Sequence, residues 1–259
     1  MKNVLITGGL GYIGQNLCDY LKTKGVDYEI VDSKIHYDVL EIEDTWRYDG
    51  IVHLAAVSGI IDVDADPEKA IETNITSTLH IMQEACKYSK PLVFASSGAA
   101  PTPYESLYAM SKWIGEVEAK RLNRYMGKNH VLRFSNVYGG KYWEEKPSVI
   151  PVFQRLKAEG KELIINGTGE QKRDFIHVND ICRAIYKALN TERIISLPIP
   201  ICTGETTSIW EIAKKMKCKF TFDPDSDIVG VDNVFTETQL AKDILGFENK
   251  ENLNDYFID

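Results

Sequence analysis

The sequence predicts an α/β fold: a doubly wound parallel sheet with helices on both faces, followed by a smaller C-terminal lobe. Three observations predict it. Apolar strand-like runs alternate with amphipathic helical patterns through the first half of the chain, the pattern of right-handed βαβ crossovers. Runs such as Val4-Leu5-Ile6 and Leu92-Val93-Phe94 are apolar throughout, as strands buried on both faces require. A glycine-rich turn joins the first run to the first helical pattern.

In chain order, Asn3–Thr7 reads as the first strand. Tyr12–Lys24 carries Ile13, Leu17, Tyr20 and Leu21 at helical spacing. Tyr28–Val31 and Gly50–Ala55 read as strands. Pro67–Tyr88 reads as one long helix, with Asp66 as N-cap and Pro67 at its first position. Pro91–Ser96 is a strand, Tyr108–Tyr125 a helix and His130–Phe134 a strand. After Gly140 the patterning changes: residues 147–159 suggest a loop and a helix, Glu162–Asn166 a short strand, and Gly167–Lys172 a polar turn. The expected division is a dinucleotide-binding domain at 1–140, with a return segment at about 174–202, and a smaller substrate-binding lobe at 141–173 and 203–259.

The 259 residues include 30 Lys and Arg against 38 Asp and Glu, a formal charge of −8. That acidic balance argues against non-specific nucleic-acid binding, which needs a positive field. The apolar runs stop well short of the ~20 residues that span a bilayer, so no membrane is expected. A strand beginning near Lys2 leaves no room for a signal peptide. Cys18, Cys86, Cys182, Cys202 and Cys218 are odd in number and form no Cys-x-x-Cys pair, which suggests reduced thiols and a cytoplasmic location. His36, His53, His80 and His130 show no metal-ligand spacing, so no metal is expected.

The turn reads Thr7-Gly8-Gly9-Leu10-Gly11-Tyr12-Ile13-Gly14. Its glycines satisfy G-x-G-x-x-G, which lets a backbone turn with positive φ approach a pyrophosphate at a helix amino end. The context is that of a Rossmann-like domain: strand before, helix after, and Asp32 closing the next strand eighteen residues past Gly14. A carboxylate there accepts hydrogen bonds from ribose hydroxyls and repels a 2′-phosphate, which favours NAD over NADP. Asp38 and Val39 suit contact with adenine, and Leu54-Ala55-Ala56 suit a cofactor lying against the backbone.

Tyr108 and Lys112 lie four apart on one expected helix, so they share a face. Ser97 closes the preceding strand, and the carboxyl ends of parallel strands face the ligand crevice. A phenol of pKa near 10 becomes a usable base when an ammonium favours its ionised form. Lys112 is expected to supply that charge and to bind the nicotinamide ribose. Ser97 is expected to hydrogen-bond the substrate oxygen, while Tyr108 moves its proton.

These motifs, with HLAA, FASSGAA, YAMSK, LRFSNVYG, NGTGEQKRDFIHVNDICRAI and AKDILGF, resemble the extended short-chain dehydrogenase/reductase superfamily. More narrowly, the chain is similar to the NAD-dependent epimerase/dehydratase family acting on nucleotide-sugars. The resemblance implies cofactor contacts at Gly8, Gly11, Tyr12, Ile13, Gly14, Asp32, Ser33, Asp38, Val39, Leu54, Ala55, Ala56, Ala95, Ser96, Tyr108, Lys112, Ser135 and Val137. It implies catalysis by Ser97, Tyr108 and Lys112, and substrate contacts from Ser97, Tyr108, Asn136 and Arg173, with Arg173 on the diphosphate. His177 is expected to pack locally. The resemblance also implies a homodimer paired through the helices at 67–88 and 108–125.

Departures from the family pattern narrow the chemistry. Gly98-Ala99 follow Ser97 where sugar dehydratases carry Asp-Glu, and Ala99 stands where epimerases acting beside a ketone often carry a cysteine. The reading is therefore a 4-epimerase of a nucleotide-diphosphate sugar, working through a transient 4-keto sugar. A 4-ketoreductase remains as an alternative, because the link from Asp32 to Asp38 is short and so is the loop from Ser97 to Tyr108. A non-catalytic dinucleotide sensor is the alternative of another class. A family arginine before Gly-Asp is missing, since the region reads Phe222-Asp223-Pro224-Asp225-Ser226-Asp227, which leaves Lys141 or Lys172 to assist Arg173.

Overall fold

The computed structural model describes residues 1–143, 148–194, 197–225 and 237–257. The first half alternates as expected: β1 (Asn3–Thr7), α1 (Tyr12–Thr23), β2 (Asp27–Val31), β3 (Gly50–His53), α2 (Ile60–Ala65), α3 (Pro67–Ile71), α4 (Ser77–Lys87), β4 (Pro91–Ser97), α5 (Leu107–Asn123) and β5 (Lys128–Phe134). Next come β6 (Asn136–Tyr138), α6 (Val149–Ala158), β7 (Leu163–Asn166), β8 (Lys172–His177), α7 (Val178–Leu189) and β9 (Ile199–Ile201). The chain ends with β10 (Thr206–Ser208), α8 (Ile209–Lys215), β11 (Phe220–Asp223), α9 (Gln239–Leu245) and α10 (Leu253–Tyr256).

Among the described residues the main sheet has six strands in the order β2-β1-β3-β4-β5-β9, every neighbouring pair parallel. The order reverses beside β1, between β2 and β3, so the crevice for a ligand opens at the carboxyl ends of β1 and β3. One face of the sheet packs on α1 and α7 through Val4, Ile6, Leu17, Leu21, Ile181 and Ile185. The other packs on α4 and α5 through Leu5, Ile51, Leu92, Phe94, Ile81 and Leu122. Two faces of apolar burial account for the uninterrupted apolar strands.

No crossover helix links β2 to β3. Three short 3₁₀ turns, Ser33–Ile35, Val39–Glu41 and Thr45–Arg47, carry the chain instead. The expected helix at 67–88 is one run in three geometries. Asp66 caps it by accepting from Lys69 N at 3.1 Å, α3 follows, a π-turn occupies Glu72–Thr76, and α4 completes it.

The smaller lobe is built on a β10-β8-β6 sheet and a β7–β11 parallel pair. Its core gathers Tyr138, Phe153, Leu163, Ile165, Phe175 and Ile212. The segment containing α9 departs from the expected division: Ala241, Leu245 and Phe247 join the core of the main sheet, beside α7 and β9. Of the 222–227 stretch, Ser226 and Asp227 fall outside the described residues.

Candidate active site

The glycine turn is shaped by backbone contacts. Gly8 has φ +71°, donates to Val31 O at 2.8 Å and accepts from Gly11 N at 3.1 Å. A Cβ on Gly8 would stand 2.6 Å from Ala55 N, and one on Gly14 would stand 2.4 Å from Gly8 O. Three pieces of backbone therefore touch: the turn, the first turn of α1, and the Leu54-Ala55-Ala56 segment after β3. Gly11, at the N-cap of α1, offers no side-chain cap. A helix amino end without a side-chain cap suits a pyrophosphate. Tyr12 itself donates its hydroxyl to Gly139 O at 2.7 Å, which ties the turn to the start of the smaller lobe.

Asp32 ends the edge of β2 with its carboxylate turned inward. It accepts from Leu10 N at 2.9 Å and Lys34 N at 3.0 Å, one bond to each oxygen. Each oxygen retains a lone pair for a ribose hydroxyl. Ser33 is exposed beside it. Asp38 caps the next 3₁₀ turn by accepting from Leu40 N at 2.9 Å. Val39 is buried in the core with Leu5, Val31 and Ile51, so its side chain serves the sheet.

Ser97 is the last residue of β4, and Tyr108 the second of α5. Ser106 starts that helix, its Oγ accepting from Ala109 N at 3.1 Å. The fold brings the catalytic candidates together. The Ser97 hydroxyl lies near enough to the Tyr108 phenol to favour its ionised form. Lys112 is buried, donates to Ala95 O at 3.0 Å, and lies 5.9 Å from the centre of the Tyr108 ring and 5.2 Å from that of Phe94. Burial pushes the Tyr108 phenol above its ordinary value, and the nearby Ser97 hydroxyl pulls it back. Burial lowers Lys112 to about 8. The downward pull on the phenol thus comes from Ser97, while the ammonium sits over the ring face. Ala95 holds Lys112 through its carbonyl; Ser96 turns its hydroxyl toward α5 and donates to Glu116 Oε1 at 2.6 Å.

The substrate candidates gather around a buried carboxylate that sequence reasoning missed. Asp174 is fully buried and accepts from Ser135 Oγ at 2.7 Å, Thr203 Oγ1 at 2.8 Å, Thr203 N at 3.0 Å and Gly204 N at 2.7 Å. Its backbone carbonyl accepts from Asn136 Nδ2 at 3.0 Å. Asp174 therefore fixes the Ser135-Asn136 junction. Val137 is buried in the main core. Arg173 is buried and donates to Lys172 O at 3.1 Å. Lys141 is exposed and paired with Asp19 at 3.5 Å, and Lys172 is exposed. His177 caps α7 and lies 5.2 Å from the Tyr138 ring.

A second missed element joins the glycine turn to α5. Thr7 Oγ1 meets His53 Nδ1 at 2.7 Å, and His53 Nε2 meets Thr78 Oγ1 at 2.9 Å. Thr78 donates to Asn74 O at 2.8 Å, inside the π-turn. The Asn74 side chain clasps Val57 through N and O at 2.8 and 3.0 Å, and reaches Ser111 Oγ at 3.3 Å. The only hint in the sequence is a polar Glu-Thr-Asn run inside an apolar helix pattern.

Among the described residues no group of three or more His, Cys, Asp or Glu could hold a metal ion. Among the described residues no helix is long and apolar enough to cross a membrane.

Residues 4–197 match the model of the NAD dependent epimerase/dehydratase family. A putative UDP-glucose 4-epimerase of Methanocaldococcus jannaschii is 29% identical over 255 residues, covering 85% of this chain and 83% of its own. A UDP-N-acetyl-alpha-D-glucosaminuronate decarboxylase of Bacillus cytotoxicus is also 29% identical, over 82% of this chain and 78% of its own. Among solved structures, a UDP-glucose 4-epimerase of Thermotoga maritima with UDP-glucose superposes with a TM-score of 0.84 at 26% identity, over 98% of this chain and 96% of that one. The chain belongs to the NAD dependent epimerase/dehydratase family, whose cofactor is NAD.

Proposed function

We propose that this member of the family inverts C4 of a nucleotide-diphosphate hexose through a transient 4-keto sugar. The observation that carries the reading is the strand-end set of Ser97, Tyr108 and Lys112, followed by Gly98 and Ala99, with no carboxylate from Ser97 through Tyr104. That set moves one proton at one oxygen. Eliminating water from a sugar calls for a further acid and base at the neighbouring carbons. Bound NAD would supply the hydride exchange at C4 that inversion needs.

The chain's own groups do the rest. Tyr108 takes the proton from the 4-hydroxyl and gives it back to the inverted oxygen. Ser97 hydrogen-bonds that oxygen and steers the phenol. Lys112, held by Ala95 O, keeps a positive charge beside the ring and would hold the cofactor ribose. The turn at Gly8, Gly11 and Gly14, with Asp32, would hold the dinucleotide. Asn136 and Arg173 anchor the substrate diphosphate, so the sugar can turn over while the nucleotide stays in place.

Purified protein given UDP-galactose and no added cofactor is expected to release UDP-glucose. Turnover only with stoichiometric reduced cofactor and a keto sugar would replace the reading by 4-ketoreduction, which the helix-free link from β2 to β3 favours. A dinucleotide sensor would keep its function in Tyr108→Phe.

Met110, Trp113 and Val117 are 42%, 44% and 47% exposed and recur along one stripe of α5, and Ile71 at the end of α3 is 45% exposed. A homodimer through this face is the matching assembly. Light scattering at micromolar concentration is expected to give twice the chain mass. The five cysteines are free, which suits a reducing, cytoplasmic compartment.

A further inference from the structure

Glu116 lies two helical turns beyond Tyr108 and one beyond Lys112, on the same side of α5. It is 6% exposed and meets three donors. Ser96 Oγ reaches its Oε1 at 2.6 Å, Arg133 Nε reaches Oε1 at 2.8 Å, and Arg133 Nη2 reaches Oε2 at 2.6 Å. Ser96 and Arg133 are themselves direct partners across the parallel β4–β5 pair, one residue before Ser97 and Phe134. A single carboxylate therefore bolts α5 to two strands at once, next to the residue that bears the catalytic hydroxyl.

We infer that Glu116, with the Arg133 fork, is a positioning residue that sets the height of α5 against the end of β4 and so fixes Tyr108 and Lys112 relative to Ser97. The inference rests on the proposed roles of those three residues. Two features argue for positioning beyond general stability. The pair is bidentate, which fixes an angle as well as a distance. Among the described residues the other ion pair of α5, Glu118 with Arg121 at 2.7 Å, joins two residues of the same helix and reaches neither β4 nor β5. Apolar packing holds α5 down on the sheet but leaves sliding along the strands weakly opposed, because apolar contact is not directional. A displacement of about 1 Å at reacting groups is worth ~10²-fold in rate.

The test compares Glu116→Gln, Arg133→Lys and the control Glu118→Gln as NAD-loaded enzymes, with kcat expressed per bound NAD. Glu116→Gln is expected to lower kcat by ~30–100-fold, with KM for UDP-galactose changed less than about threefold, since the nucleotide anchor lies in the other lobe. Arg133→Lys keeps the charge but loses the fork, and is expected to lower kcat by ~5–20-fold in the same pattern. Glu118→Gln is expected to stay within about twofold of the wild type. Overturning results are a kcat per loaded site that stays at the wild-type value in both lock variants, or losses that Glu118→Gln reproduces.

If the wild type turns over no nucleotide-sugar, the reaction is wrong and the lock is read without turnover. Amide exchange at Tyr108–Lys112 is then expected to quicken at least tenfold in Glu116→Gln relative to Glu118→Gln. Equal exchange in the two variants would overturn the lock. Should Glu116→Gln fail to fold, the milder Arg133→Lys carries both readouts.

Discussion

The buried chain through His53 makes a prediction that can be worked in numbers. Thr78 spends its hydroxyl proton on Asn74 O, so it accepts from His53 Nε2–H, and His53 Nδ1 in turn accepts from Thr7. The ring is neutral, fully enclosed, and stacked at 5.9 Å on Phe94. Burial, helped by the nearby Lys112 charge, lowers its pKa from 6.5 to about 3. The unfolded chain therefore binds a proton at this ring below about pH 6.5 that the folded chain refuses, and stability falls as pH falls from there toward about 3. At about pH 4.5 the unfolded ring is protonated and the folded one is not, a gap of roughly two units below 6.5, or ~2.7 kcal/mol of lost stability. Carboxylates and His130, which burial lowers to about 4, add their own slopes. The informative quantity is therefore the difference between wild type and His53→Gln. Urea unfolding followed by circular dichroism at about pH 7.5 and 4.5 gives it. The wild type is expected to lose ~2–3 kcal/mol more than the variant on acidification. Equal losses would mean that His53 is protonated in the folded state, and would refute the directed chain from the cofactor turn to the π-turn.

Three further outcomes are expected. Tyr108→Phe removes the only proton carrier assigned to the substrate oxygen, so kcat is expected to fall ~10²–10⁴-fold while NADH fluorescence still reports binding; retained turnover would remove Tyr108 from catalysis. Gly14→Ala places a Cβ 2.4 Å from Gly8 O and 2.7 Å from Gly9 Cα, so α1 must lift off the turn. A cost of ~1–3 kcal/mol, read as a lower Tm with weaker NAD binding, is expected, and an unchanged Tm would contradict the packing. Asp32→Asn keeps a side-chain oxygen for one turn amide but drops the charge, and is expected to raise affinity for NADP relative to NAD by ~10-fold or more. An unchanged ratio of the two dissociation constants would show that the carboxylate does not set cofactor choice.

What could be read from the sequence was local. Val4-Leu5-Ile6 reports a strand buried on both faces because each residue meets an apolar neighbour whatever the topology. The glycine turn reports itself because only glycine tolerates backbone at 2.4–2.6 Å from its Cβ position. Tyr108 and Lys112 are four residues apart, so one helix suffices to align them. Asn74, Asp174 and Glu116 were missed for the opposite reason. Each is an unremarked polar residue until the fold brings Val57, Ser135 or Arg133 to it. The π-turn belongs to the same class: the helix widens where the Asn74 side chain takes two backbone partners from a segment 17 residues earlier. The α9 segment enters the main-sheet core rather than that of the smaller lobe, and Ala241, Leu245 and Phe247 are too sparse an apolar pattern to reveal which core they join.

The same packing logic bears on why a relative's chemistry does not transfer by one substitution. Ala99 and Ala100 are 8% and 0% exposed, and the turn is tied by Ala99 N to Ser97 Oγ at 3.2 Å and by Thr102 Oγ1 to Ala99 O at 3.2 Å. Ala99 is thus a packing position whose amide also holds the Ser97 hydroxyl. Placing a carboxylate there, as Ala99→Glu, puts a charge into space sized for a methyl group. Burying it without a partner costs at least several kcal/mol, so the turn must open and Ser97 must lose its backbone bond. Ala99→Glu is therefore expected to lower Tm and C4 inversion together, with no loss of water from UDP-glucose detectable by mass spectrometry. A folded Ala99→Glu enzyme that dehydrates UDP-glucose would show that this turn is a free platform for acid–base groups, and that the buried alanines play no part in confining the reaction to C4.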